Sequence, residues 1–233
     1  MVSVVIHCNM GLTNQVESAT WLSRGLTARG ILHEVTADKH KAGNVHIIQG
    51  PHYAYNEWLG SHNVIWLDRC FYGDSRFDLT LGWLKTDGSR DFRNQNMDAG
   101  KGDLPMLKPR KEKKRCAVVF GDYGRDPEKL VHHARSNYDS VYYRPHPADG
   151  TNNTKLMSPA WTLEQIWDFA DVAVGHSTTT LVQAELNGLH VYTDDPRHVC
   201  ANIPDREQWL IDLSWAQWNH EEIQNGDWWD HLC

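Results

Sequence analysis

Four hydroxyl residues in a row, Ser177, Thr178, Thr179 and Thr180, interrupt the stretch VGHSTTTLVQAELNG (174–188). They stand where a buried-looking strand, DVAVG, gives way to a helix with apolar periodicity. One Ser or Thr is enough to satisfy the unpaired N–H groups of a helix start. Four of them predict an anion there, held by hydroxyls and backbone donors together. Two neighbouring strand ends have the same character. GDYGRD (121–126) follows VVF and carries Arg125, and Arg144-Pro-His146-Pro follows VYY, while His176 precedes the hydroxyl run. Arg and His both donate to phosphate oxygens. Read singly, the three pieces are a turn, a strand stop with a structural histidine and a helix cap. Read together, they predict a diphosphate bound by Arg125, Arg144, His146, His176, Ser177, Thr178 and Thr179.

Such residues need strand ends to hold them, and the chain pattern offers two series of strands. VSVVIHCN reads as a strand and QVESATWLSRGLTARG as an amphipathic helix closing at Gly30. ILHEVTA, NVHIIQG and NVIWLD follow as strands. From about Gly82 to Lys114 the periodicity weakens into Asp, Gly, Asn, Lys and Arg, as at a domain boundary. A second series then runs RCAVVFGD, PEKLVHHARSN with Pro127 near its first turn, SVYYRPHP, TLEQIWDFA, DVAVGHS, TTTLVQAELNG and LHVYTDD. This βαβαβαβ pattern predicts a parallel sheet with crossover helices. The expected fold is therefore α/β, two Rossmann-like lobes with parallel sheets, and a helical C-terminal tail. The lobes are expected at 1–110, including a basic linker, and at 111–233, including the tail. Five of the eleven tryptophans lie between Trp209 and Trp229. They read as apolar contact area that joins the lobes, or as faces for a sugar or base to stack on.

RPHP, then FADVAVGHSTTTLVQAELNG, then HVYTDD resemble the nucleotide-sugar-binding lobe of GT-B glycosyltransferases, over roughly residues 115–200. That family shows a His-Pro after one strand, a Ser/Thr run opening a helix two elements later, and a strand with a Gly/Pro turn beyond. Nucleotide-sugar epimerases of the same fold share the pattern. The resemblance implies a GT-B-like fold, with Ser177, Thr178 and Thr179 on the diphosphate and Arg144 and His146 beside the phosphates or sugar. It implies transfer of a sugar from a nucleotide-diphosphate donor, such as a UDP-sugar, to a hydroxyl acceptor, with no metal ion or other cofactor. One position departs from the family. The ribose-binding Glu expected five residues before the glycine is Gln183, a neutral amide, and a Glu falls two residues later at Glu185. An epimerase is one alternative, and Gln183 favours another, a protein that binds nucleotides or sugar phosphates without turnover.

Transfer to a hydroxyl requires a base for its proton, and the first lobe offers Asp68 and His7 as catalytic candidates. Asp68 lies in WLDRCFYGDS, where Arg69 beside it would keep the carboxylate ionised if both face one cleft. Asp38 and His52 also stand at strand ends. His52, Tyr53 and Tyr55 of QGPHYAYNEW, with Arg69, are expected at the acceptor. A loop salt bridge for Asp68 and a buried structural role for His7 stay open. The compact size, the basic linker and DRCFYGD (68–74) resemble phage-encoded glycosyltransferases, including those that modify hydroxymethylated pyrimidines in DNA. This implies a DNA acceptor, its phosphates met by the basic segment and its base extruded.

Composition narrows the classes further. The formal net charge is −7, yet residues 85–115 carry a local +5, so the remainder holds −12. The net charge does not suggest a general nucleic-acid binder, and LKPRKEKKR (107–115) reads as a solvated linker or an anion-facing strap. Five scattered cysteines, odd in number and without CxxC, argue against a disulfide framework or a zinc knuckle. No apolar run approaches a membrane span, and MVSVVIHCN lacks the features of a signal peptide. The expectation is a cytoplasmic protein, in the host cytoplasm if phage-encoded.

Overall fold

The computed structural model describes residues 3–38, 40–49, 63–72, 78–87, 89–122, 125–146 and 161–233. Two compact units divide the chain, Met1–Leu104 with Gln208–Cys233, and Pro105–Glu207. The division falls at 104–105, ahead of the 110–111 expected from composition. The tail, expected with the second lobe, belongs to the first unit.

The first unit contains β1 (Ser3–His7), α1 (Thr13–Ala28), β2 (Leu32–Thr36), β3 (Val45–Gln49), β4 (Val64–Arg69), β5 (Leu79–Leu84) and β6 (Arg90–Asp91). β2, β1, β3 and β4 are parallel neighbours in that order, β5 runs antiparallel to β4, and β6 is antiparallel to β5. The sheet is therefore mixed at one side, where parallel strands alone were expected. β5 escaped the sequence reading because LTLGWL is interrupted by Gly82 and runs straight into a stretch rich in Asp, Gly, Lys and Arg, although it is buried nearly throughout. Val4, Ile6, Ile47, Ile65, Leu67, Leu79 and Leu81 share a face and form one core with Leu22 and Leu26 of α1. The alternation of side chains along each strand sends Val5, His7, His46, Trp66 and Asp68 to the other face.

The second unit contains β7 (Cys116–Phe120), α2 (Glu128–Asn137), β8 (Ser140–Arg144), α3 (Leu163–Phe169), β9 (Val172–Gly175), α4 (Thr180–Leu186) and β10 (His190–Thr193). Its sheet runs β10-β9-β7-β8, all parallel, as the sequence predicted. The two central strands, CAVVF and VAVG, are continuous apolar runs because both their faces are covered. The edge strands SVYYR and HVYT are more polar and only partly buried. α3 starts with a capping box in which Thr162 and Gln165 satisfy each other's backbone N–H groups.

α5 (Arg206–Ser214) crosses the division, and β11 (Gln217–Trp218), α6 (His220–Asn225) and α7 (Asp227–Leu232) complete the first unit. β11 pairs antiparallel with β5, an added strand in a segment expected to be wholly helical. α6 begins with an Asn219–Glu222 capping box and ends at Gly226 in the left-handed region. It lies so close to α1 that a Cβ on Gly25 would overlap the Ile223 carbonyl oxygen. Trp228, fully buried, donates from Nε1 to that same carbonyl at 3.2 Å. Trp218 and Trp228 of the tail thus belong to the core of the first unit, with Trp215 and Trp229 packed against it, and this is why the tail joins that unit.

Candidate functional site

Strand order in the second sheet reverses between β7 and β9, and open α/β sheets bind ligands outside the carboxyl ends of strands at such a reversal. A cavity of about 290 Å³ opens there. It is lined by Phe120 at the end of β7, Asp122 and Arg125 after it, Lys129 in the first turn of α2, His176 after β9 and Asp194 after β10.

His176 is the most constrained of these side chains. Its Nδ1 lies 2.5 Å from Asp194 Oδ1, which fixes the ring's orientation. Its Nε2 is buried, lies 3.6 Å from Asp195 Oδ2, and has no hydrogen-bond partner among the described residues. Asp195 is held by Arg197, Nε to Oδ1 at 2.8 Å and Nη2 to Oδ2 at 3.0 Å. Burial by itself raises the Asp195 carboxyl, but the Arg197 hydrogen bonds and charge outweigh it and hold it below the usual carboxylate range. Thr193 Oγ1 donates to the His176 carbonyl at 2.6 Å and accepts from Asp195 N–H at 3.0 Å, tying the ends of β9 and β10 together.

The hydroxyl run divides its roles. Ser177 N–H donates to Asp122 Oδ2 at 2.8 Å, so a carboxylate already sits on a donor expected to meet phosphate. Thr178 Oγ1 accepts from Thr180 N–H at 3.3 Å and donates to the Thr180 hydroxyl at 3.1 Å, a local turn just ahead of α4 whose N-cap, Thr179, makes no side-chain capping bond. Ser177 and Thr179 are exposed. α4 has only seven residues, so its dipole adds little, and charged side chains dominate the local field.

Of the expected donor-binding residues, Arg125 and His176 meet at the cavity. Arg144, at the end of β8, is half-buried, and its Nη1 is buried without a hydrogen-bond partner among the described residues. His146 follows it, half-buried. Gln183 is half-buried on α4. Neither these three nor Ser177, Thr178 and Thr179 line the cavity itself. Asp122, Lys129, Asp194 and Asp195 were missed, although GDYGRD and YTDD place carboxylates at strand ends as visibly as the arginine and histidine.

Glu185 has a different function from a ribose ligand. It is 1% exposed and pairs with Arg110 through both carboxylate oxygens and with Arg206 Nε at 2.6 Å. Arg110 Nη1 also donates to the Leu189 carbonyl at 2.6 Å. Backbone bonds from Lys108 N–H to Leu186 O and from Lys111 N–H to Gly188 O lay the segment across the end of α4 and the start of β10. A Cβ on Gly188, whose φ is +82°, would overlap the Pro109 carbonyl oxygen. The basic segment is thus pinned at the amino-terminal edge of the sheet, opposite the cavity. Lys113, Lys114 and Arg115 remain exposed there.

In the first unit, His7 ends β1 and its Nε2 lies 3.0 Å from Nδ1 of His46, the rings stacked at 5.3 Å. Burial pulls the His46 ring below its usual value. Asp68 shares the sheet face of this pair; its Oδ1 accepts from Arg69 N–H at 2.8 Å and its Oδ2 lies 3.8 Å from Arg90 Nη1. β4 is regular through Arg69, so the Arg69 side chain leaves the opposite face from Asp68. The cation near the carboxylate is Arg90, where Arg69 was expected. Asp38 follows β2. His52, Tyr53 and Tyr55 lie outside the described residues. Among the described residues, no group of three or more His, Cys, Asp or Glu is placed to hold a metal ion, and no helix is long and apolar enough to cross a membrane.

No protein-family profile matches the chain, and no curated protein matches it in sequence. Solved structures do. Thermosulfurimonas dismutans KpsC, described as a beta Kdo 2,7 transferase, is similar over 96% of this chain and 97% of its own, at 13% identity and a TM-score of 0.56. The KpsC beta Kdo 2,4 transferase of the same organism is similar over 92% of this chain and 89% of its own, at 10% identity and a TM-score of 0.51. At such identities the likeness speaks for the fold alone, and the chain has the GT-B-like α/β fold with parallel strands that its sequence predicted.

Proposed function

We propose that the protein is a glycosyltransferase that moves a sugar from a nucleotide-activated donor to a hydroxyl acceptor. The observation that carries this reading is the cavity at the strand-order reversal, where Arg125, Lys129 and His176 converge within a fold like that of known glycosyltransferases. In the reaction the bond between the anomeric carbon and the phosphate oxygen breaks as the acceptor oxygen bonds to that carbon. The bonding electrons leave with the phosphate, whose charge Arg125, Lys129 and His176 offset. The acceptor's proton passes to a base, for which Asp68 and His7 are the candidates. A phosphate oxygen bound at Ser177 N–H has to displace the Asp122 carboxylate. Arg144 and His146 extend the donor site along β8, and Gln183 offers an amide to the ribose.

The donor is a nucleotide-diphosphate sugar such as a UDP-sugar, and turnover requires no metal, since the cationic side chains supply the charge a divalent ion supplies elsewhere. A DNA acceptor ranks second, because Arg110 and Lys111 of the basic segment are engaged in the fold. A binding protein without turnover is favoured by two observations, the Asp122 carboxylate on Ser177 N–H and the neutral Gln183. An epimerase on the same fold is the remaining reading.

Thermal-shift screening against nucleotide sugars is the direct test, because a ligand bound only by the native state raises its apparent stability. UDP, UMP and CMP arms separate a diphosphate from a monophosphate site. Product formed in EDTA from a stabilising donor supports the transferase. Tight binding without product on any acceptor supports the binding protein, and a changed sugar with donor alone, seen by NMR, supports the epimerase. No shift with any nucleotide overturns the reading.

A further inference from the structure

The geometry points to a covalent acyl-acceptor site in the first unit, where His33 activates the Ser23 hydroxyl toward small activated esters. This site does not depend on the transferase reading above. Ser23 stands at the border of the buried stripe of α1, with Leu22 and Leu26 of the core on one side and the exposed Arg24 and Thr27 on the other. β2 meets it from the outer edge of the sheet. Val35 of β2 packs against the core, so His33, two residues earlier, turns to the same face.

Ser23 Oγ lies 2.8 Å from His33 Nε2, and His33 Nδ1 lies 2.9 Å from the Ile31 carbonyl oxygen. A carbonyl only accepts, so the Nδ1 proton is directed at Ile31. In the neutral ring Nε2 then carries a lone pair, and the Ser23 hydroxyl donates to it. Nucleophile, base and the group that orients the base follow one another in hydrogen-bond contact, the arrangement that activates a serine. Other hydroxyls in the body of α1 behave differently. Ser18, Thr20 and Thr27 donate to the carbonyls of Asn14, Val16 and Ser23, four residues back, at 2.9, 2.7 and 2.8 Å. Ser23 has the same option at the Ala19 carbonyl, yet it meets the imidazole. Both side chains are half-buried, and among the described residues no strand pairs with the far side of β2, so a small ester approaches Oγ from the open edge.

In the step, Ser23 Oγ bonds to the acyl carbon while its proton passes to His33 Nε2. The bond from the acyl carbon to the leaving oxygen breaks, and that oxygen takes the proton from Nε2. The products are an acyl ester of Ser23 and a free alcohol or phenol. The backbone N–H groups around Ser23 are engaged within the helix, so none is free to stabilise an oxyanion. The leaving group must therefore be a good one, which selects phenyl esters over amides. For the same reason the acyl group stays on Ser23 once it has transferred.

Incubation of the full chain with p-nitrophenyl acetate tests the site. We expect a burst of about one equivalent of p-nitrophenolate per chain, and peptide mapping by mass spectrometry should place the acetyl group on Ser23. Ser23→Ala should lose that burst. His33→Gln and His33→Asn should slow it about a hundredfold, with circular dichroism reporting the wild-type fold. Thr20→Ala should react as the wild type does. A fluorophosphonate gives a second reading, since its phosphorus bonds to Oγ as fluoride leaves; it should label Ser23 of the wild type and spare the His33 variants. The inference is overturned if neither reagent modifies Ser23, or if the His33 variants are modified at the wild-type rate. Nucleotide binding takes no part in these readouts, so the transferase reading stands or falls separately.

Discussion

Arg110 and Glu185 meet through two bonds, Nη1 to Oε2 at 2.8 Å and Nη2 to Oε1 at 2.6 Å, with the carboxylate 1% exposed. This pair fastens the basic segment to the second unit, and Arg206 completes it from the other side. Removing one partner of a buried ion pair leaves the other charge unmatched. Glu185→Ala is therefore expected to cost about 3–5 kcal/mol in urea unfolding. Gln183→Ala, half-buried and without that network, should stay within about 1 kcal/mol of the wild type. Equal effects would show that Glu185 lacks the structural role assigned to it.

Gly188 marks where the same segment crosses the fold. An alanine there has to adopt a φ of +82° and push its Cβ into the Pro109 carbonyl. The backbone strain alone amounts to about 1–2 kcal/mol. With the overlap added, Gly188→Ala is expected to lower Tm by about 4–8 °C, read by differential scanning calorimetry. An unchanged Tm would mean that the segment is not seated across Gly188.

The cavity of the second unit predicts opposite effects for two of the residues that line it. Asp122→Asn removes a negative charge while retaining an acceptor for Ser177 N–H, so UDP should bind about five- to tenfold more tightly. His176→Ala removes a phosphate donor and should weaken UDP binding by about tenfold. Isothermal titration calorimetry decides both. Thr178→Ala is expected to lower stability by about 1 kcal/mol through the lost hydrogen bond to Thr180 N–H, whatever it does to binding.

Asp195 gives the second unit an acid-sensitive element. Its carboxyl lies below its ordinary value in the folded state, so it contributes stability at every pH above the unfolded value, near 3.9. The contribution disappears as pH falls through the folded value. Arg197→Ala should therefore be less stable than the wild type at pH 7. The gap should narrow as pH drops below about 5, and urea midpoints from pH 7 to pH 3 measure it. A gap independent of pH would detach Arg197 from the Asp195 charge.

Alternating strand and helix signals in CAVVF, EKLVHHARSN and VAVG made the second unit legible, because its parallel sheet is local and each βα step follows directly in the chain. Arg125 and His176 were legible for the same reason, since residues that end strands of one parallel sheet are brought to one edge. Asp122 and Asp194 went unseen only because a search for phosphate donors passes over carboxylates.

The sequence by itself determined the α/β class, the parallel order of the second series and the strand ends that carry charge, since periodicity and turn residues act over a few positions. Only the tertiary structure decided that Trp218 and Trp228 belong to the core of the first unit, that Glu185 binds Arg110 and Arg206, and that Arg90 is the cation near Asp68. Those outcomes depend on which distant segment satisfies a buried charge or covers an apolar face, and that pairing leaves no local trace in the chain.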